Sequence, residues 1–202
     1  TEIYTLSLHD ALPIFPNFIS WVVLGGILTS LLSMDSGIVN GVIKALGFAP
    51  IGFLTDEKYF VGTMVVSMIW KTFGWNTIIY LAALAGVDGQ MYEAAMIEGA
   101  NRWQRMWYLT LPSIVPTICI MCILTMGNLM TAGFDQIFNL NNAAVNSVSE
   151  TLDMYIYRVT FQSSSDFGFS SAVSLLRSIM NLFFLVIADR GSRLMGGNGL
   201  MG

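Results

Sequence analysis

Few residues in this sequence carry side chains able to do covalent or metal chemistry. The 202 residues include one histidine, His9, and two cysteines, Cys119 and Cys122. Cys119-Ile-Met-Cys122 has the spacing of redox and metal-binding pairs, but it lies in an apolar stretch without a histidine or a basic neighbour. We interpret both cysteines as small, inert packing residues. The sequence therefore predicts no catalytic residue and no metal site.

The single histidine lies in an unusual leader. Residues 1–14 read TEIYTLSLHDALPI, which matches one reading frame of a widely used sequencing adapter. We expect this segment to be an artefact of sequencing and the biological sequence to start near Phe15. The alternative is a genuine amphipathic leader. Under the first interpretation His9 has no mechanistic role, which removes histidine-based catalysis from consideration.

The composition is that of a membrane protein. Hydrophobic residues make up 54% of the chain and charged residues 11%, whereas soluble domains carry about 25% charged residues. A soluble domain of this length has too little interior to hide so much apolar surface, so the excess must face lipid or other membrane helices. The net charge of −4 argues against a nucleic-acid partner, because no basic stripe is available to neutralise phosphates.

Four apolar stretches are long enough to cross a bilayer core, which needs about 20 residues of helix. They are residues 15–32, 60–85, 114–132 and 169–188. Because backbone polar groups in lipid must be satisfied within helices, the expected fold class is an all-α, polytopic membrane helix bundle. With an even number of spans, the 88–112 loop and the C-terminal tail lie on the same side of the membrane. That side has four basic residues and the other side has three: Arg102, Arg105, Arg190 and Arg193 against Lys44, Lys58 and Arg158. This favours a cytoplasmic position for the loop.

The loop itself contains a short predicted helix. From Tyr92 to Pro112 the chain reads YEAAMIEGANRWQRMWYLTLP. Good helix formers over Met91–Glu98 predict a helix, and Gly99 suits the C′ position that ends it. Ala100–Leu109 is expected to form a second helix, stopped by Pro112, with Leu111-Pro112 opening the third span.

Two interpretations of this loop remain open on physical grounds alone. A solvated helical hairpin between two spans needs only helix formers and a glycine stop. A docking helix needs a surface that another protein can approach closely, which Ala94 and Ala95 supply. It also needs groups that a basic partner can meet, and Glu93 and Glu98 are available for that.

The loop resembles the EAA loop of binding-protein-dependent ABC importer permeases. The matching residues, with all spacings intact, are Glu93, Ala94, Ala95, Gly99, Leu111 and Pro112. Glu98 stands where that family often has Asp, and Met106 where it often has Phe. The resemblance extends from about Phe15 to Arg193 and is closest to permeases for oligosaccharide or polysaccharide uptake. It implies that 15–202 is the C-terminal part of a six-helix transmembrane domain, with two spans preceding it.

The resemblance also implies a mechanism. The short helix would be a coupling helix, seated in a cleft of a cytoplasmic ATPase subunit. The ATPase-coupling residues would be Glu93, Ala94, Ala95, Ile97, Glu98, Gly99, Leu111 and Pro112. ATP and Mg would be bound by the ATPase, since this chain has no Gly-Lys-Ser/Thr phosphate loop, and no cofactor is expected on the chain itself.

The implied partners are cytoplasmic ATPase subunits, a second permease subunit, an extracellular sugar-binding protein and the lipid bilayer. The implied location is the cytoplasmic membrane of a prokaryote, and the chain would be a transport subunit rather than an enzyme.

Five polar residues are candidates for a substrate path. Lys71 and Arg177 lie within predicted spans, where charges usually face a bundle interior or a water-filled path. The alternative is a structural pair or a side chain that reaches the interface. Asn128, Thr131 and Gln136 lie at or beyond the outer end of the third span, where they could hydrogen-bond sugars. Polar residues also hold membrane helices together, which is the competing interpretation.

Two other classes of membrane protein are alternatives to an importer subunit. A secondary transporter or channel without an ATPase has the same helical composition, but it has no use for an intact EAA loop. An intramembrane enzyme requires a Ser/His, Asp/Asp or histidine-rich set at membrane depth, and the sequence contains no such set. The EAA loop therefore favours the importer.

Overall fold

The computed structural model describes residues 13–131, 133–163 and 167–194, and these ranges contain helices and no strand. The predicted adapter segment lies outside the described residues up to residue 12. The helices are α1 Phe15–Phe18, α2 Trp21–Leu32, α3 Ile38–Ala45, α4 Glu57–Ala85, α5 Gly89–Ile97, α6 Arg102–Gly127, α7 Phe134–Leu140, α8 Asn146–Ser149, α9 Leu152–Tyr157 and α10 Phe167–Leu194. The all-α fold class is confirmed.

Two of the described helices, α6 and α10, are both long and apolar enough to cross a membrane. α6 has 26 residues, which at 1.5 Å per residue is about 39 Å and exceeds the roughly 30 Å hydrocarbon core. α4 has 29 residues and is long enough, but more polar. The predicted spans 60–85 and 169–188 lie inside α4 and α10. α4 begins three residues before the first of these spans and ends with it at Ala85, whereas α10 extends beyond both ends of the second.

Within the predicted span 15–32 the chain forms two helices instead of one continuous helix. Ile19 has extended backbone angles, φ −73° and ψ 128°. Ser20 then caps the next helix, its hydroxyl accepting a hydrogen bond from the Val23 amide at 3.3 Å. The remaining helix α2 has 12 residues, about 18 Å, which is shorter than a bilayer core.

The helix that contains the predicted third span, 114–132, has different ends from that span. The helix begins at Arg102 and ends at Gly127, with Asn128 as its C-cap. Leu111-Pro112 opens the α-helical stretch Leu111–Gly127, as predicted, but Pro112 does not stop the helix before it, because a π-helical turn over Met106–Thr110 joins the two stretches. In this π turn the Leu111 amide bonds to the Met106 carbonyl, five residues back. The wider turn changes which carbonyls need an amide partner, so a proline is tolerated inside α6.

The chain divides into two compact units. The first contains the described residues up to Trp75 and those between Thr131 and Ser171, and the second contains those between Asn76 and Met130 and those from Ala172 onward. In the first unit α2 packs closely on α7. A Cβ added at Gly25 would lie 3.1 Å from the Asn139 Cβ, so glycine permits this approach. In the second unit the Asn181 side chain on α10 accepts a hydrogen bond from the Met130 amide just beyond α6, at 3.2 Å.

A buried asparagine organises the loop between α2 and α4. Asn40 is fully buried, and its amide nitrogen donates to the carbonyls of Leu32, Ser33 and Ile51 at 2.9–3.2 Å. Its carbonyl oxygen accepts from the Ile51 amide at 2.8 Å. One side chain thus satisfies the backbone of two loop segments that have no regular structure of their own, as buried polar groups require.

We expect Asn40→Asp to destabilise the first unit markedly. The substitution keeps the shape but replaces a donor by a carboxylate oxygen that faces three carbonyl oxygens. Leaving buried acceptors unsatisfied costs about 1–3 kcal/mol, and more for a charged group. The measurement is the midpoint of thermal unfolding of the purified protein in detergent. Asn146→Asp, the same change at an exposed asparagine, is the control, and equal midpoints for the two variants would contradict the prediction.

Candidate coupling site

Helix α5 is capped at both ends by its own sequence. At the N-terminus the Asp88 carboxylate accepts a hydrogen bond from the Gln90 amide at 2.9 Å. At the C-terminus Gly99 has φ +82°. Its amide donates to the Met96 carbonyl at 3.0 Å, and the Ala100 amide donates to the Ala95 carbonyl at 2.9 Å. These two bonds form a Schellman motif. The predicted helix and the positive φ of Gly99 are confirmed.

The surface of α5 is open. None of its nine residues is buried. Ile97 is 88% exposed, and Met91 and Met96 are about half exposed. The side chains of Glu93 and Ala94 are exposed as well. Ile97, Met91 and Met96 thus leave apolar side chains of α5 available for contact with another protein.

The next helix begins with a capping box only four residues after α5 ends. The Asn101 side chain accepts from the Gln104 amide at 2.9 Å, and the Gln104 side chain accepts from the Asn101 amide at 2.8 Å. The predicted second helix over Ala100–Leu109 therefore exists, but it starts at Arg102 and continues through Pro112 into the spanning part of α6.

A groove of about 390 Å³ lies between the end of α5 and the start of α6. It is lined in part by Ala95, Glu98, Gly99, Gln104 and Arg105. The Arg105 Nε is buried and has no hydrogen-bond partner among the described residues. The groove thus combines small side chains with the exposed Glu98, which suits a polar protein contact.

One hydrogen bond joins the side chains of the two helices. The Tyr92 hydroxyl lies 2.9 Å from the Thr110 Oγ1, and the Thr110 hydroxyl donates to the Arg105 carbonyl at 3.3 Å. Sequence reasoning missed both residues. Tyr92 directly precedes Glu93, and Thr110 directly precedes Leu111. The only signal that could have identified them was this position next to the motif residues.

The structure places the predicted coupling residues on two neighbouring elements. Glu93, Ala94, Ala95 and Ile97 lie on α5, and Glu98 and Gly99 form its C-terminal cap. Leu111 and Pro112 lie directly after the π turn of α6, where Leu111 is half-buried and Pro112 exposed. The first six therefore lie on one short helix and its cap, whereas the last two lie in the helix that follows.

Among the substrate-path candidates, Lys71 has a complete set of protein partners. It is 8% exposed, and its ammonium group lies 5.5 Å from the centre of the Trp21 ring. Its Nζ donates hydrogen bonds of 2.5–3.1 Å to the carbonyls of Pro16, Asn17 and Ile19. These carbonyls belong to the C-terminal end of α1, where a cation is favourable. The contacts support the structural role that the sequence left open.

Gln136 is also held by protein groups. It is buried, and its amide nitrogen donates to the Met64 carbonyl and to the Ser67 hydroxyl, both at 2.8 Å. Ser67 and Lys71 lie on the same face of α4, one turn apart. This face therefore binds both α1 and α7 through polar contacts, as polar residues between membrane helices commonly do.

The other three path candidates lie near the end of α6 and on α10. The exposed Asn128 donates to the Leu124 carbonyl at 3.1 Å. Thr131 is half-buried and follows the end of α6 by four residues. Arg177 is half-buried on α10, one turn before Asn181. A role for these residues in a substrate path stays a prediction.

The described residues contain no group of three or more His, Cys, Asp or Glu side chains placed to hold a metal ion. Cys119 is buried and Cys122 exposed on α6, and neither forms a disulfide.

Long apolar helices, a helical fold and an open capped helix between α4 and α6 define the chain as an all-helical membrane protein. Residues 6–195 match the family described as binding-protein-dependent transport system inner membrane component, and the chain belongs to this family.

Relatives and solved structures agree with this assignment. The chain is 36% identical over 185 residues to the polygalacturonan/rhamnogalacturonan transport system permease protein YteP of Bacillus subtilis. The aligned region covers 92% of this chain and 57% of that relative. The chain is 35% identical over 156 residues to the lactose transport system permease protein LacF of Rhizobium radiobacter, covering 75% and 51%. This chain thus spans only a little over half the length of these relatives.

The fold is similar to that of a solved importer. A chain of a bacterial alginate ABC transporter, in complex with a periplasmic protein bound to an alginate pentasaccharide, superposes with a TM-score of 0.91 at 30% identity. The match covers 98% of this chain and 70% of that chain. The resemblance to importer permeases stated from the EAA loop is confirmed.

Proposed function

We propose that this chain is the permease subunit of an ABC importer that moves sugars or oligosaccharides across the cytoplasmic membrane, and that it catalyses no reaction itself. The observation that carries the proposal is helix α5, which has the EAA sequence, caps at both ends and an exposed surface. The relatives are transport permeases for polygalacturonan/rhamnogalacturonan and for lactose. Their substrates support a carbohydrate for this chain.

The proposed partners supply what the chain lacks. Two cytoplasmic ATPase subunits bind ATP and Mg and hydrolyse ATP, and a second permease subunit completes the path. An extracellular sugar-binding protein delivers the substrate, and the complex of the alginate transporter with its periplasmic protein supports this partner. In this arrangement α4, α6 and α10 supply three of the four predicted spans, and α1 and α2 together form the first as a broken helix. The 88–112 loop faces the cytoplasm.

The proposed role of α5 is to enter a cleft of the ATPase as the coupling helix. Ile97 is its most exposed apolar side chain and is removed from water on docking, which contributes free energy in proportion to the apolar area buried. Glu93 offers a carboxylate to a basic or amide group in the cleft. Closure of the ATPase pair on ATP then moves α5, and with it the start of α6.

We expect Glu93→Ala to weaken coupling without preventing assembly. The exposed carboxylate has no role in the interior of this chain, so its loss affects only the docked state. A hydrogen bond to a charged group contributes about 1.5–3 kcal/mol, so stimulation is expected to fall by about one to two orders of magnitude. The measurement is ATP hydrolysis and sugar uptake by the full-length complex in proteoliposomes, with and without the binding protein.

Asp35→Ala, which removes an exposed carboxylate before α3, is the control and should behave as wild type. Wild-type stimulation and uptake in the Glu93 variant would mean that the loop is a passive hairpin, and would remove the proposed coupling mechanism.

A further inference from the structure

The attachment of α5 to the rest of the chain is sparse. No residue of the helix is buried, so packing contributes little to its orientation. The Tyr92–Thr110 contact is the one side-chain hydrogen bond between α5 and α6 that the described part of the chain contains. The backbone joins α5 to α4 through Gly86–Asp88 and to α6 through the turn at Gly99.

The direction of this hydrogen bond follows from its neighbours. The Thr110 hydroxyl uses its hydrogen to donate to the Arg105 carbonyl, so its lone pairs remain for the Tyr92 hydroxyl. The result is a chain of two bonds in one direction, from the Tyr92 hydroxyl to the Thr110 hydroxyl to the Arg105 carbonyl. Hydrogen bonds in such a chain polarise and strengthen one another.

The chain ends at the π turn of α6. Arg105 precedes that turn and Thr110 is its last residue, so the hydroxyl of Thr110 closes the turn with a bond to the carbonyl five residues back. Single π-helical turns within α-helices are frequent at functional sites. Pro112 follows two residues later and lacks the amide that would restore a regular helix.

We propose that the Tyr92–Thr110–Arg105 hydrogen-bond chain is the linkage through which a displacement of α5 reaches α6, with Tyr92 and Thr110 as positioning residues. This inference rests on the proposed coupling role of α5. If the Gly99 turn were its only connection to α6, α5 could still change its angle to α6. A second attachment at Tyr92, seven residues away or about 10 Å along the helix, makes α5 and the first turns of α6 move together.

The test uses Tyr92→Phe and Thr110→Val, singly and combined, in the full-length complex with its partner subunits in proteoliposomes. We expect each single variant to raise the ATP hydrolysed per sugar molecule taken up by about 2- to 10-fold, the factor that an ordinary hydrogen bond corresponds to. The double variant should be no worse than either single one, because both changes cut the same linkage. Thr110→Ser, which can still donate and accept, should keep the wild-type ratio.

Tyr80→Phe, on α4 and outside this site, is the matched control. Deuterium exchange of the amides over 91–98 supplies a measurement that needs no transport. We expect faster exchange in Tyr92→Phe and unchanged exchange in Tyr80→Phe, with the thermal midpoint of the complex unaltered.

Wild-type exchange and a wild-type ratio in both single variants would overturn the linkage, and so would losses that add in the double variant. If the linkage variants behave as wild type while Glu93→Ala loses stimulation, the linkage is wrong and the proposed coupling role stands. A wild-type complex without ATP-dependent uptake would contradict the proposed function, and the exchange result would still decide the linkage.

Discussion

Gly99→Val is expected to abolish binding-protein-stimulated ATP hydrolysis and sugar uptake together, while leaving assembly of the complex intact. Gly99 has φ +82°, a backbone conformation that costs a residue with a Cβ about 1–2 kcal/mol, and a β-branched residue more. A Cβ at this position would meet no atom within 4 Å. The whole effect must therefore come from the backbone, which relieves the strain by unwinding the Schellman turn and redirecting α5.

Two variants make the cause of this loss specific. Gly89→Ala changes a glycine at the other end of α5, where the φ is not positive and a Cβ also meets no atom within 4 Å, so it should be silent. Gly99→Asn should recover much of the activity, because asparagine tolerates the left-handed conformation better than other residues. If Gly99→Val and Gly89→Ala give the same ATP hydrolysis and uptake, backbone strain at Gly99 does not cause the loss.

Lys71→Met is expected to lower the thermal stability of the protein substantially. The substitution keeps the length of the side chain but removes the donor that three backbone carbonyls share. Each bond to a charged group is worth about 1.5–3 kcal/mol, and the contact with Trp21 is lost as well. The measurement is the midpoint of thermal unfolding, together with the amount of membrane-inserted protein.

Lys58→Met supplies the control, because Lys58 is an exposed lysine on the same helix. This comparison also separates the two roles considered for Lys71. A structural lysine predicts a lower midpoint and an unchanged KM for uptake in the protein that folds. An unchanged midpoint with an altered KM would instead place Lys71 in the substrate path.

Helix α5 could be predicted from sequence because its determinants are local. The cap at Asp88, the helix formers that follow and the glycine at its end all act within a few residues of one another. Local signals also sufficed for the all-α class, since long apolar runs with few charges leave little choice. For these features the nearest neighbours in sequence are also the nearest neighbours in space.

The predicted helix boundaries differ from the observed ones where a general sequence rule does not apply. Pro112 usually opens or ends a helix, but the π turn before it changes the hydrogen-bond pattern so that α6 continues. Conversely, the apolar run from Phe15 to Leu32 has no glycine or proline at the point where it breaks. The break comes from Ser20, whose hydroxyl caps a new helix, and a serine in an apolar run is a weak signal.

The roles of Lys71 and Gln136 depend on residues far away in the sequence. The carbonyls that accept from Lys71 are 52–55 residues away, and the partners of Gln136 are 69 and 72 residues away. A polar residue at membrane depth indicates that some partner exists. It does not distinguish a backbone carbonyl from a substrate hydroxyl, because both accept the same hydrogen bond.

The π turn in α6 also fixes an angle. Side chains on an α-helix rotate by about 100° from one residue to the next, since about 3.6 residues complete a turn. A π turn takes up one residue more than an α-helical turn, so it shifts the angular phase of everything before it by about 100° relative to everything after it. The side of α6 that Arg102–Arg105 turns toward α5 is therefore set independently of the side that Leu111–Gly127 turns toward the membrane. One continuous helix can therefore present one face to α5 at its start and a different face to the membrane further along.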